Sequence, residues 1–236
     1  MEKNITFRVV KLRSAPKITI QQLSKYRKCY LGVSVNNPFF RDKHLGLLLR
    51  WIANHFDECI IIIGDYLHRI NETILLGKFG DDAINASMLR GNQLHEIIEV
   101  ALSLLPQNKF KIYRWKDFLD EHPTVYDKKK QLLNYYNESD EFKNAIIQSS
   151  TEFIERLSER GEVIYLSKED AVAQSKEYLI EEMAVFSKLI EEGYKVQVYP
   201  GTQLNILKEL ANKKYKSVDT NLKEGIYIDL TVKKRK

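Results

Sequence analysis

Strand and helix patterns that alternate along the chain predict an α/β fold, a single domain built on a mainly parallel sheet with helices on both faces. Three observations carry this expectation. The segment ECIIIIGD at residues 58–65 is a nearly continuous aliphatic run, the signature of a central parallel strand buried on both faces. Amphipathic stretches at helical spacing separate it from the other strand-like segments. With 236 residues and 44% hydrophobic content, the chain can fill one sizeable core without a metal or disulfide staple.

In chain order, TFRVVKL (6–12) alternates as a strand, and CYLGVSV (29–35) is an almost unbroken apolar strand. Pro38 stands where a helix can begin, and HLGLLLRWIANHF keeps helical periodicity to about Phe56. After the strand at 58–65 comes a helix from about Asp81 to Leu105, closed by Pro106, and a strand KFKIYRW at 109–115. A long helical stretch from about Val125 to Glu159 carries a break near Asn137 to Asp140, and EVIYL at 162–166 reads as a short strand. A strongly periodic helix from Glu169 to Glu192 ends at Gly193, followed by a strand YKVQVYP at 194–200. A helix from about Gln203 to Tyr215 and a strand GIYIDLTV at 225–232 complete the order.

Composition excludes several classes. The charged fraction is 29%, with only 10 glycines and 5 prolines, so nothing looks disordered or collagenous. The apolar run Ile60 to Ile63 is far short of the roughly 20 residues that cross a bilayer, and MEKNITFRVVKLRS has no hydrophobic core of a signal peptide. Cys29 and Cys59 form no Cys-x-x-Cys motif, and a reduced, cytoplasmic setting is expected. The net charge of +5 is uneven: residues 1–28 carry +7 and residues 211–236 carry +5, which leaves −7 for the middle. Basic extensions at both ends suit a polyanionic partner, and they also serve solubility.

In parallel sheets ligands bind beyond the carboxyl ends of the strands. Three such ends carry chemistry-capable residues: Gly32, Val33 and Ser34 with Asn36 and Asn37; Gly64, Asp65 and Tyr66; and Tyr199 with Pro200. Familiar motifs are missing. There is no G-x-G-x-x-G after the first strand, and Gly77-Lys78 has Glu72 where a phosphate loop needs glycine. The five histidines show no metal-ligand spacing, and Gly32-Val33-Ser34-Val35-Asn36 lacks the second glycine of a nucleophile elbow. A serine is a poor nucleophile without a base. With no histidine placed beside Ser34 by local sequence, an electrophile for it should arrive already activated, as an ester does. Tyr178 and Glu182 lie four residues apart on a helix, so they stack on one face and can grip an ammonium. The same pair also suits ordinary packing and solvation on an amphipathic helix.

Taken together, GVSVNN at the first core strand, YLIEE within a late helix and VYP at the following strand end resemble the cyclodipeptide synthases over about residues 28–210. That family is similar to the Rossmann-like catalytic domain of class I tyrosyl- and tryptophanyl-tRNA synthetases, without the ATP-binding signatures. The resemblance implies that Ser34 is the nucleophile that takes an aminoacyl group from a first aminoacyl-tRNA and that Gly32 lines its pocket. It implies that Tyr178 and Glu182 hold the aminoacyl ammonium and that Tyr199 supports the serine. A second aminoacyl-tRNA would accept the acyl group and the dipeptide would cyclise, with no cofactor, no ATP and no membrane.

Tyr199-Pro200 places the chain in the Tyr-Pro branch, whereas Asn37 falls where the other branch keeps asparagine. Val33, Asp65, Tyr66 and the helix around Phe142 to Ile154 are the remaining candidates for lining the pocket. Familiar members carry a basic stripe on the helix after the second core strand; here residues 81–105 contain one basic residue, Arg90. Phosphate contacts are therefore expected at the basic ends, Lys233, Lys234, Arg235 and Lys236 above all, with help from Lys128, Lys129 and Lys130. The alternatives are a non-catalytic Rossmann-like protein that binds RNA or a nucleotide, and a hydrolase in which His68 would serve Ser34.

Overall fold

The computed structural model describes residues 7–41, 44–201, 204–218 and 220–234, with the backbone alone at 7–12, 107 and 232–234. The chain enters through β1 (Phe7–Ala15) and a single turn, α1 (Ile20–Leu23), closed by a capping box between Thr19 and Gln22. It then crosses the middle of the sheet as β2 (Lys28–Val33). A 3-10 turn at Pro38–Arg41 leads into α2 (His44–His55) and back through β3 (Glu58–Ile63). Two helices follow, α3 (Arg69–Leu76) and α4 (Gly80–Leu102), before β4 (Phe110–Arg114).

A helix not expected from sequence, α5 (Trp115–Glu121), comes first, and the long helical stretch then resolves into α6 (Val125–Glu138) and α7 (Asp140–Glu159). Its expected break falls at Ser139, whose hydroxyl accepts from Phe142 N–H and caps α7. Next come α8 (Lys168–Glu191), β5 (Val196–Pro200), α9 (Asn205–Ala211) and β6 (Ile226–Lys234). Among the described residues no helix is long and apolar enough to cross a membrane.

Among the described residues six strands run in the order β1-β6-β5-β2-β3-β4, parallel throughout except that β1 pairs antiparallel with β6. Strand alternation divides the core. Leu31, Val33, Ile61 and Ile63 face α2 and α4, while Tyr30, Ile60 and Ile62 face α3 and the helices from α5 to α9. The aliphatic run of β3 is thus buried on both faces, as a central parallel strand must be. Cys29 and Cys59, far apart in sequence, are register partners on adjacent strands, and both are buried free thiols.

The structure corrects one strand. Residues 162–166 form an extended connection between α7 and α8 with no place in the sheet. Ile164 and Leu166 tuck half-buried against the helical layer, while Val163 and Tyr165 are 79% and 65% exposed. An extended segment lying on helices reproduces the period-two pattern of a strand without its ladder. Its Tyr165 N–H instead donates to the Ile74 carbonyl, 2.9 Å away.

Candidate functional site

Where β2, β3 and β5 end, a cavity of about 590 Å³ opens between the sheet and α8. Its residues fall on two sides of β2. Ile62, Asn71 and Trp115 come from the β3–α3–α5 side, and Phe153, Leu204 and Leu207 come from the α7–α9 side beyond β5. Gly32, Ser34, Tyr178, Glu182 and Tyr199 also line it.

The floor is a glycine because the helix above comes close. A Cβ on Gly32 would stand 3.3 Å from Phe186 Cζ, so any larger residue would push α8 back or fill the cavity. Ser34 lies one residue past β2, in a turn whose Asn37 N–H donates to the Ser34 carbonyl at 3.1 Å. Asn37 then fixes that turn twice: its Oδ1 accepts from Phe39 N–H at 3.0 Å, and its Nδ2 donates to the Tyr199 hydroxyl at 3.1 Å. Asn37 thus serves as a turn residue, and the same side chain ties the Ser34 loop to the end of β5.

The α8 wall is electrostatically unusual. Burial pushes the Glu182 carboxyl up to about 7. Tyr178 is held well above the ordinary phenol range by burial and then by the neighbouring Glu182, and Tyr199 is raised mainly by burial. A carboxyl so desolvated needs a cation to ionise fully near neutrality. An ammonium between Tyr178 and Glu182 would supply it.

Two candidates fall outside the cavity. Asp65 is fully buried and pairs with the Arg114 guanidinium; its Oδ1 accepts from Tyr66 N–H at 2.7 Å and Trp115 N–H at 3.2 Å. With its acceptor capacity committed, it braces the β3 and β4 ends against α4, which passes so close that a Cβ on Gly91 would stand 2.5 Å from Asp65 Cβ. Tyr66 lies under the Arg69 guanidinium, 4.1 Å from ring centroid to Cζ, and it too lies outside the lining. Val33 does line the cavity, as do Ser149, Glu152 and Phe153 of α7. Lys233 and Lys234 end β6, with their side chains outside the described residues; Arg235 and Lys236 lie outside altogether.

Sequence reading missed Asn71, Trp115, Arg156, Arg160 and Gln197, all of which line the cavity. Asn71 and Trp115 belong to α3 and α5, two helices too short to stand out by periodicity, and Gln197 lies within β5, where only the strand's carboxyl end reads as a candidate. No histidine is among the described lining residues. His68, the one to check, is buried beside Asn71 and Glu72 instead.

A model of the cyclodipeptide synthase family matches residues 19–220. No curated protein matches the sequence. Among solved structures, the chain is similar to a cyclodipeptide synthase from Fluoribacter dumoffii, with a TM-score of 0.76 at 18% identity over 96% of this chain and 99% of that one. It is also similar to a Mycobacterium tuberculosis protein whose structure relates cyclodipeptide synthetases to type I tRNA synthetases (TM-score 0.70, 14% identity, 98% and 96% covered). A third is the cyclodipeptide synthase from Candidatus Glomeribacter gigasporarum bound to Phe-tRNAPhe (TM-score 0.54, 17% identity, 86% of each chain). At these identities the likeness is one of fold.

Proposed function

The chain belongs to the cyclodipeptide synthase family, and from that membership we propose that it joins the aminoacyl groups of two aminoacyl-tRNAs into a cyclic dipeptide through an ester on Ser34. The observation that carries the reading is one cavity lined by Ser34, Tyr178, Glu182 and Tyr199 with no histidine among its described residues. A hydrolase would want a base beside its serine; a substrate that is already an ester does not demand one of the same strength.

In the first step the Ser34 hydroxyl attacks the ester carbonyl, the terminal ribose oxygen of the tRNA leaves with the serine proton, and an aminoacyl ester remains on the enzyme. Glu182 and Tyr178 hold the ammonium of that aminoacyl group, and Tyr199, steadied by Asn37, supports the serine. The amine of a second aminoacyl-tRNA then attacks the serine ester, which forms a peptide bond and frees Ser34. Finally the dipeptide's free amine attacks the remaining tRNA ester, closing the six-membered ring and releasing the second tRNA. Every bond formed draws on an ester already present, so ATP has no role. The two sides of the cavity about β2 suit two aminoacyl groups. The Tyr199-Pro200 end of β5 supports a place in the Tyr-Pro branch, against Asn37, which matches the other branch.

Purified protein supplied with charged tRNAs and no ATP should release a cyclic dipeptide detectable by mass spectrometry, and Ser34→Ala should release none. A dependence on ATP, or full activity in Ser34→Ala, would overturn the proposal.

A further inference from the structure

We propose that the part of the cavity over β3 selects an aminoacyl side chain ending in an uncharged hydrogen-bond donor, read by Asn71 Oδ1. This rests on the aminoacyl transfer proposed above and names its substrate class.

The chain of reasoning starts at a buried carboxylate. Glu72, 2% exposed, is ion-paired with Arg90 Nε at 2.9 Å and Lys78 Nζ at 3.4 Å, so it presents acceptor oxygens to its surroundings. His68 Nε2 lies 3.6 Å from Glu72 Oε1, beyond hydrogen-bond distance, and is itself buried without a hydrogen-bond partner, so the carboxylate acts on it through its charge alone. Burial first, and then the positive charge of Arg90, pushes the His68 imidazole down to about 3, which leaves the ring neutral with one proton. Beside a carboxylate that proton belongs on Nε2, and Nδ1 becomes an acceptor. Asn71 Nδ2, 3.0 Å away, is the donor that Nδ1 needs. The opposite orientation of the amide would set two acceptors against each other.

The amide of Asn71 is thereby fixed, and its carbonyl is left over. Asn71 is 7% exposed and lines the cavity, and Oδ1 is buried with no hydrogen-bond partner. Buried acceptors in folded proteins are nearly always satisfied, and the cavity is the space available to a partner. Ile62, Trp115 and Leu179 line the same cavity and give it apolar surface. A side chain that fits has an apolar body and one terminal O–H or N–H. A carboxylate side chain offers no donor and would meet the carbonyl dipole unfavourably. A cationic one would be buried against a neutral amide, because the nearby Asp65 is already committed to Arg114. A purely apolar one leaves Oδ1 unpaired, a loss that corresponds to about tenfold or more in selectivity.

The test is acylation of the wild-type protein by tRNAs charged singly with members of isosteric pairs, tyrosine against phenylalanine and asparagine against leucine, together with histidine and tryptophan, read as aminoacyl mass added to the protein. The preferred amino acid should carry a terminal donor and exceed its apolar isostere by about tenfold or more. Asn71→Leu, or Asn71→Ala if leucine disturbs folding, should erase that ratio while acylation continues. Because the ratio is taken within one protein sample, a loss of folded material does not imitate the effect. Preference of the wild type for an apolar side chain, or an unchanged ratio in both variants, overturns the inference and leaves the synthase reading standing. Failure of every charged tRNA to acylate the protein overturns the synthase reading and this inference with it.

Discussion

At the scale of single residues, the site depends on groups placed against their ordinary preferences. Glu182 sits where burial lifts its carboxyl to about 7, so below that pH it is mainly neutral and, in the role proposed for it, would hold an ammonium weakly. Acylation rates should therefore rise from pH 6 to pH 8, and Glu182→Gln should both lower the rate, on the order of 10- to 100-fold, and flatten this limb; stopped-flow or quench kinetics across that range would show it. A valine at Gly32 would meet Phe186 and occupy the cavity floor, so Gly32→Val should abolish acylation while the protein remains folded by circular dichroism. Ser34, Tyr178, Glu182 and Tyr199 were legible in sequence because each belongs to a short motif at a strand end or on one helical face. Asn71 was not, since its meaning depends on His68 and Glu72 as neighbours and on a cavity completed by Trp115 and Leu179, more than 40 positions away. Asp65 lies outside the cavity lining, and nothing in the sequence marks the arginine, 49 positions on, that pairs with it.

At the scale of elements, topology brings the two basic ends of the chain together. β1 and β6 pair antiparallel, with Arg8 opposite Lys233 and Lys11 opposite Thr231 in backbone register, so basic positions separated by more than 200 residues are neighbours in the sheet. β6 runs parallel to β5, and its last residues therefore leave the sheet on the side where Ser34 and Tyr199 lie. That placement supports the proposal that Lys233, Lys234, Arg235 and Lys236 meet the phosphates of tRNA. Replacing these four by glutamine should raise the apparent KM for charged tRNA several-fold at physiological salt and reduce its salt dependence, with kcat little changed; unchanged kinetics would move the docking surface elsewhere. The expected strand at 162–166 failed for an instructive reason. Alternating burial reports only an extended segment with one face covered, and here the cover is helical. Gly77 closes α3 with φ 60°, and a Cβ there would stand 2.5 Å from the Tyr165 ring of that same segment. Gly77→Ala should cost about 1–3 kcal/mol by chemical denaturation.

At the scale of the whole molecule, the parallel sheet was legible because β3 is aliphatic on both faces and helical periodicity separates the strands, whereas the strand order β1-β6-β5-β2-β3-β4 required knowing which segments meet. That order puts β2 at the centre of the cavity, with pocket walls on either side and Ser34 between them. The buried carboxyl of Glu182 carries a stability cost. Glu182 binds its proton more tightly when folded, with 4.5 as its ordinary value and about 7 here, so the folded protein holds more protons than the unfolded chain across that window. Stability from this group is thus fullest below pH 4.5 and falls as pH rises to about 7, by up to on the order of 3 kcal/mol, and Glu182→Gln should remove that slope in denaturation experiments. Under the proposed role, function and stability oppose each other at this carboxyl. The central claim is that Ser34 carries the first aminoacyl group. Intact-protein mass spectrometry after brief exposure to a single charged tRNA, followed by peptide mapping, tests it most directly: the account predicts one added aminoacyl residue, hydroxylamine-labile and located on Ser34, and none in Ser34→Ala. Cyclic dipeptide formation with the label on another residue, or with Ser34→Ala as active as the wild type, would contradict it.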